Sequence, residues 1–258
     1  MLRNPSAPAA DVRRSGRHAR PAPRRRPLPW VAGALALAAA ALAVLLAAAT
    51  LPYLRGPAGP PPPKLVPAVP VAAAAAADRA SYSGRWIVQR GPGTFLGYRV
   101  RARVAGRPVP TEIVGRTQAV SGLLQLSGAH LEGADVLAEL ATLSSGNPRR
   151  DDYLRVHALQ SQVYSTARFQ LSSSVPLPGT PRPGRVVPVQ APGTLMVHGR
   201  TRTVTFSLEG RWQGDTLEVV GRGRIRLADF AIARPRVAGV LSVGEHAIVE
   251  VRLRLRRA

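Results

Sequence analysis

The sequence predicts an all-β domain of antiparallel strands, a sandwich or a closed barrel with one short helix, standing behind an N-terminal membrane-spanning segment. Three observations predict it. From about position 83 onward, apolar and polar residues alternate in short segments, the period of a strand buried on one face. Turn residues punctuate those segments at close intervals. Ahead of them, positions 30–51 hold Trp30 and the uncharged run VAGALALAAAALAVLLAAATL, between a basic leader and a Pro-rich stretch.

Residues 1–29 carry eight Arg against one acidic residue and show no apolar period, so they read as a disordered basic tail. As a helix rising about 1.5 Å per residue, the apolar run is long enough for a hydrocarbon core of about 30 Å. Trp30 and Tyr53 fall at its two interfaces. Arg24, Arg25 and Arg26 before the span, against Arg55 just after it, put the N-terminus in the cytoplasm and the rest outside. The expectation is a single-pass cell-membrane protein with an extracytoplasmic domain. If Ala47-Ala48-Ala49 is cut by a signal peptidase the domain is secreted, but the long leader and long run favour an uncleaved anchor. Residues 52–82 form a Pro/Ala-rich linker with the run Pro60 to Pro63. Such a stretch favours an extended polyproline helix of about 3.1 Å per residue, a stalk.

Residues 83–258 form the folded domain. Tyr98, Val100, Ala102 and Val104 alternate with Arg99, Arg101 and Arg103; Ala134, Val136 and Ala138 alternate with Asp135, Leu137 and Glu139. Phe169 and Leu171 alternate with Arg168 and Gln170. Val204, Phe206 and Leu208 lead through a Gly214-Asp215 turn to Leu217, Val219 and Ile225, a hairpin. Val249, Val251, Leu253 and Leu255 close the chain. The helix starts at Asn147 as cap, has Pro148 in its first turn and Asp151 and Asp152 near its positive end, and runs to about Gln160. Ala102, Ala134, Ala138, Ala167, Gly221 and Gly223 fall in the inward phase, and small inward side chains leave room for an apolar ligand.

The net charge of +22 raises nucleic acid or an anionic surface as partner. From position 83 on there are 25 Arg and 12 acidic residues, many of the Arg in the outward phase of strands, where they solvate a face and blunt edges. Few aromatics stand among them to stack bases, so nucleic acid is not expected as a partner. With no cysteine there is no disulfide, thiolate metal site or cysteine nucleophile. His18, His130, His157, His198 and His246 have no metal-ligand spacing, and Gly91-Pro92-Gly93-Thr94-Phe95-Leu96-Gly97 is a turn before a strand rather than a nucleotide loop. No catalytic constellation stands out, and neither an enzyme nor a cofactor is expected.

Asn147-Pro148-Arg149-Arg150-Asp151-Asp152-Tyr153-Leu154-Arg155, then Phe169, then Gly193-Thr194-Leu195-Met196-Val197-His198-Gly199 with Thr201-Arg202, then Asp229-Phe230-Ala231-Ile232-Ala233-Arg234-Pro235, together form a pattern. That pattern resembles the YceI-like family of polyisoprenoid-binding proteins over about residues 84–258. The resemblance implies a lipocalin-like antiparallel β-barrel whose lumen holds a long isoprenoid, a polyprenyl lipid or quinone tail, in exported proteins. The sequence departs from the family at Ala158-Leu159-Gln160 and Val163-Tyr164-Ser165, beside the helix. The candidate lumen residues are Tyr98 and Val100, Val136 and Ala138, Phe169, Leu195 and Val197, Phe206, Val219 and Gly223, and Leu253, with the helix at the entrance. Tryptophan at Ala138 or Gly223 is expected to block uptake without unfolding. The expected function is a membrane-anchored lipid-binding protein for carriage, storage or sensing, and a second copy of the chain is a compatible partner. The alternative is a stalked interaction barrel that docks anionic envelope components through its Arg-rich exterior.

Overall fold

The computed structural model describes residues 59–65, 82–179, 181–235 and 240–258. The predicted tail, the predicted span at 30–51 and most of the linker lie outside the described residues. Among the described residues no helix is long and apolar enough to cross a membrane.

The strands are β1 (Gly84–Val88), β2 (Phe95–Val104), β3 (Thr111–Thr117), β4 (Val120–Ser127), β5 (His130–Glu139), β6 (Thr166–Leu171), β7 (Val175–Pro176), β8 (Val186–Val197), β9 (Arg200–Gln213), β10 (Thr216–Arg226) and β11 (Val240–Arg257). All pairings are antiparallel. The predicted choice between sandwich and barrel resolves to a barrel, because β11 pairs with β10 on one side and with β1 and β2 on the other. Strands β1 and β2 act as one long stave along β11, and β3 and β4 as a second stave against them. With β5, β6, β8, β9, β10 and β11 these make eight staves, joined in chain order. Such closure removes exposed sheet edges.

Local sequence explains the joints. Thr94 ends the break between β1 and β2; it is buried, and its Oγ1 accepts from the Arg254 N–H at 3.1 Å, stitching the break to β11. His198 and Gly199 between β8 and β9 both have positive φ, 51° and 66°, the two-residue turn that matches strand twist. The Gly214-Asp215 turn lies where the sequence places it. Trp86, Val120 and Leu255, all fully buried, anchor the core where the first and last staves meet.

A helical excursion separates β5 from β6. Helix α1 (Pro148–Tyr153) starts at Asn147, whose side-chain oxygen accepts from the Arg150 N–H at 3.2 Å, and a single π-helical turn at Leu154–Ala158 follows. The start and cap agree with the sequence, and the last turn differs from a plain α-helix. Asp151 also has a further role beyond complementing the helix dipole. Buried at 4% exposure, it accepts from the Ser145 N–H at 2.9 Å and from the hydroxyls of Ser144 and Ser145, closing the loop before the helix.

Most arginines of β10 and β11 are exposed as expected, but Arg99, Arg116 and Glu250 are not. On the outer side of β2, β3 and β11, Glu250 is 1% exposed and takes Arg99 Nε at 2.6 Å and Arg116 Nη2 at 3.2 Å. Arg99 also reaches Glu112 at 2.7 Å, and the Arg116 guanidinium lies 4.1 Å from the centre of the Phe95 ring. What covers this cluster is part of the Pro-rich stretch. The Pro60 carbonyl accepts from Arg99 at 2.7 Å and the Pro61 carbonyl from Arg116 at 2.8 Å. Proline runs suit such a contact, since their carbonyls lack competing N–H groups nearby. Burial works against the Arg99 charge, yet hydrogen bonds to Glu250 and Glu112 hold its pKa above the ordinary arginine value.

Candidate functional site: an apolar cavity under the helix

Among the described residues the barrel interior holds an apolar cavity of about 160 Å³ and a smaller one of about 60 Å³. The larger lies beneath α1 and the π-turn, which contribute Arg150, Tyr153, Leu154 and Ala158 to its wall. The helical segment therefore borders the cavity, as the sequence predicts. Strands β2, β8 and β11 supply Tyr98 and Val100, Leu195 and Val197, and Ala247 and Val249. The smaller cavity lies toward the other end, walled by Tyr82, Leu126, Val187, Trp212, Leu217 and Val219 among others.

The predicted lumen residues are thus divided. Tyr98, Val100, Leu195 and Val197 line the larger cavity, and Val219 lines the smaller. Val136, Ala138, Phe169, Phe206, Gly223 and Leu253 line neither. They are packed between the two, with Phe169 against Phe206 at 4.9 Å between ring centres. Of the small inward residues, Ala167 does border the larger cavity, while Ala138 is fully buried in packing. Among the wall residues outside the candidate list, Leu140, Leu143 and Ile232 reach the cavity from turns, where no period marks a side chain. Ile113, Val243, Ala247 and Val249 reach it from strands, where alternation gives the face but not the height along the barrel.

Three side chains with polar groups stand at the wall of the larger cavity, Tyr98, Arg150 and Tyr153. Arg150 is held by Ser145, its Nε donating to the hydroxyl at 2.8 Å and its Nη2 to the carbonyl at 2.9 Å. Burial pushes the Tyr98 phenol up to about 12, with Arg150 pulling it down and Asp151 pushing it up. An acid whose pKa rises on folding stabilises the fold below its unfolded value of about 10, and that contribution is lost as pH climbs toward 12. In an ultraviolet titration of tyrosinate, Tyr98 is expected to ionise only as the pH nears 12, a step that Tyr98→Phe removes. The stability lost between pH 10 and 12 should shrink in Tyr98→Phe. A single tyrosine transition near 10 would contradict this burial.

His198 joins the resembling segments. A carbonyl only accepts, so its Nδ1 carries the proton and donates to the Phe230 carbonyl at 3.0 Å. Its Nε2 lies 3.4 Å from Gln160 Oε1, and its ring meets Tyr164 edge-on at 4.7 Å. Gln160, His198 and Ala231 are the three non-glycine residues with positive φ among the described residues, and they converge here. Left-handed backbone costs such residues about 1–2 kcal/mol each, so the surrounding contacts hold them in place. Leu159, Val197 and Ile232, each next to one of these three, line the larger cavity. The histidine therefore shapes the cavity wall. Among the described residues no group of three His, Asp or Glu could hold a metal.

Residues 97–255 match the family model described as a YceI-like domain. A polyisoprenoid binding domain from Saccharophagus degradans implicated in plant cell wall breakdown superposes with a TM-score of 0.51 at 16% identity, over 68% of this chain and 99% of that one. BcnA from Burkholderia cenocepacia gives a TM-score of 0.48 at 19% identity, over 61% and 95%. A Campylobacter jejuni YCEI protein gives 0.47 at 14% identity, over 60% and 91%. No curated protein matches the chain significantly. The first of these structural likenesses supports the barrel fold alone, and the family model, which spans more than half of the chain, establishes kinship: the chain belongs to the YceI-like domain family.

Proposed function

We propose that the chain is a binding protein that holds an isoprenoid lipid, a polyprenyl chain or quinone tail, in the larger cavity, for carriage, storage or sensing. The observation that carries this reading is the cavity itself, about 160 Å³ under the helix, with Arg150, Tyr98 and Tyr153 in an otherwise apolar wall. Apolar cavities of such size stay dry and take apolar guests. Burial supplies the affinity, at about 0.8 kcal/mol per CH₂, so a five-carbon unit contributes up to roughly 4 kcal/mol. The Arg150 guanidinium and the neutral Tyr98 hydroxyl supply donors to a quinone carbonyl or an alcohol oxygen. The name of the Saccharophagus relative, a polyisoprenoid binding domain, agrees with this chemistry. The span at 30–51 serves as a single-pass anchor, with the N-terminus cytoplasmic and the barrel extracytoplasmic.

A second reading rests on the exposed Arg222, Arg224, Arg226, Arg254 and Arg256 on the adjacent strands β10 and β11. These present a cationic face to anionic envelope polymers. Organic extraction and mass spectrometry of the protein, purified from a host that makes isoprenoids, separates the two. A stoichiometric polyprenyl or quinone species is the expected result. A ligand-free barrel that takes up no added isoprenoid, yet binds anionic polymer in a salt-sensitive way, would favour the second reading.

A further inference from the structure

We infer that Phe169 and Phe206 form a septum that closes the lumen at mid-barrel, so that the protein grips a short isoprenoid segment in the helix-side cavity and is indifferent to the length beyond it. The inference rests on the isoprenoid reading above and adds chain-length selectivity to it. The strand registers locate the septum. Along β8, Leu195 and Val197 face the larger cavity and Val187 and Val189 the smaller, with Ala191 and Gly193 between. Along β10, Ile225 faces the larger and Leu217 and Val219 the smaller, with Gly221 and Gly223 between. At that level β6 and β9 place their phenylalanines.

The glycines are sockets for the rings. A Cβ on Gly193 would come within 2.3 Å of Phe169 Cζ, and one on Gly223 within 3.1 Å of the Phe206 ring. Small residues on β8 and β10 thus face large ones on β6 and β9, the alternation that fills a core layer. Phe169 and Phe206 are 9% and 4% exposed and meet edge to face at 67°, a favoured aromatic geometry. The two cavities share no lining residue. Inward glycines here therefore mark filled space.

The volume sets the length. A cavity of about 160 Å³ is close to the apolar cavity of about 150 Å³ that holds one benzene, so it encloses roughly one or two five-carbon units. Further units of a longer chain stay at the mouth and gain little burial.

The test is equilibrium binding of isoprenol, geraniol, farnesol, geranylgeraniol and solanesol to the full chain held in amphipol. The wild type is expected to gain at least tenfold in affinity from isoprenol to geraniol and to change less than about threefold from farnesol to solanesol. Phe206→Ala, which joins the two cavities, is expected to add at least tenfold for geranylgeraniol over farnesol. Should that variant not fold, Phe206→Leu keeps an apolar filler and is expected to show the same trend at smaller size. A wild type whose affinity keeps climbing to solanesol overturns the septum, as does a folded Phe206 variant with the wild-type plateau. Failure of the wild type to bind any prenol overturns instead the isoprenoid reading beneath it.

Discussion

Replacing Ala247 by phenylalanine is expected to abolish isoprenoid uptake while the barrel stays folded. Ala247 lies on β11, is 3% exposed and faces the larger cavity. The added ring has the size of a benzene, which a cavity of about 150 Å³ accommodates, so at about 160 Å³ the space is filled rather than overfilled. Filling removes the site for at least one five-carbon unit, worth up to roughly 4 kcal/mol of burial, and the expected loss in affinity is at least 100-fold. Melting temperature should be unchanged or raised, because the ring gains contacts that the empty space lacked. Extraction and mass spectrometry of the variant beside the wild type reads the outcome. A folded variant that still carries lipid at wild-type level would show that the cavity under the helix is not where the lipid sits. The tryptophan substitutions expected from the sequence are poorer blocks. Ala138 is fully buried in packing and Gly223 faces the Phe206 ring, so tryptophan at either overpacks the core.

Replacing Glu250 by glutamine is expected to destabilise the fold by about 3–5 kcal/mol, the cost of leaving buried cations without their anion. Arg99 and Glu250 are 8% and 2% exposed at their side chains, and Arg116 is 23% exposed. In the wild type one carboxylate serves both guanidiniums, Glu112 accepts a further bond from Arg99, and the carbonyls of Pro60 and Pro61 accept from Arg99 and Arg116. The amide keeps the shape and loses the charge. Denaturant unfolding, with the melting temperature lowered by roughly 10 °C for a domain of this size, measures the effect. The triple variant Arg99→Met, Arg116→Met and Glu250→Leu removes both cations with their shared anion and is expected to regain at least half of the loss. If glutamine alone costs less than about 1 kcal/mol, the cluster is solvated in solution and the Pro60–Pro61 cover is loose.

What the sequence makes legible of the site lies on strands. Tyr98, Val100, Leu195 and Val197 reach the larger cavity because alternation fixes which face a residue takes, and one face of a closed barrel points inward. Alternation says nothing about height along the barrel. Phe169 and Gly223 are inward as predicted, yet they meet partners at mid-barrel and fill it. Whether an inward glycine leaves a void depends on the residue facing it from the next strand, here Phe206. The same limit holds outside. The outward phase of β2 and β11 correctly contains Arg99 and Glu250, and only the return of Pro60 and Pro61 over them turns a solvated pair into a buried one.

By itself the sequence determined the all-β class, the helix start at Asn147, the hairpin turns and the family pattern, because each depends on residues close together in the chain. Periodicity, caps and positive-φ turns are local physics. The tertiary structure alone decided that β11 closes the barrel on β1 and β2, that the lumen is parted into two cavities, and that a proline segment covers a buried ion cluster. Each of those is a contact between residues far apart in the chain, Arg99 with Glu250 or Phe169 with Phe206. Their energy depends on which side chains the closed barrel brings face to face, and no local pattern encodes that.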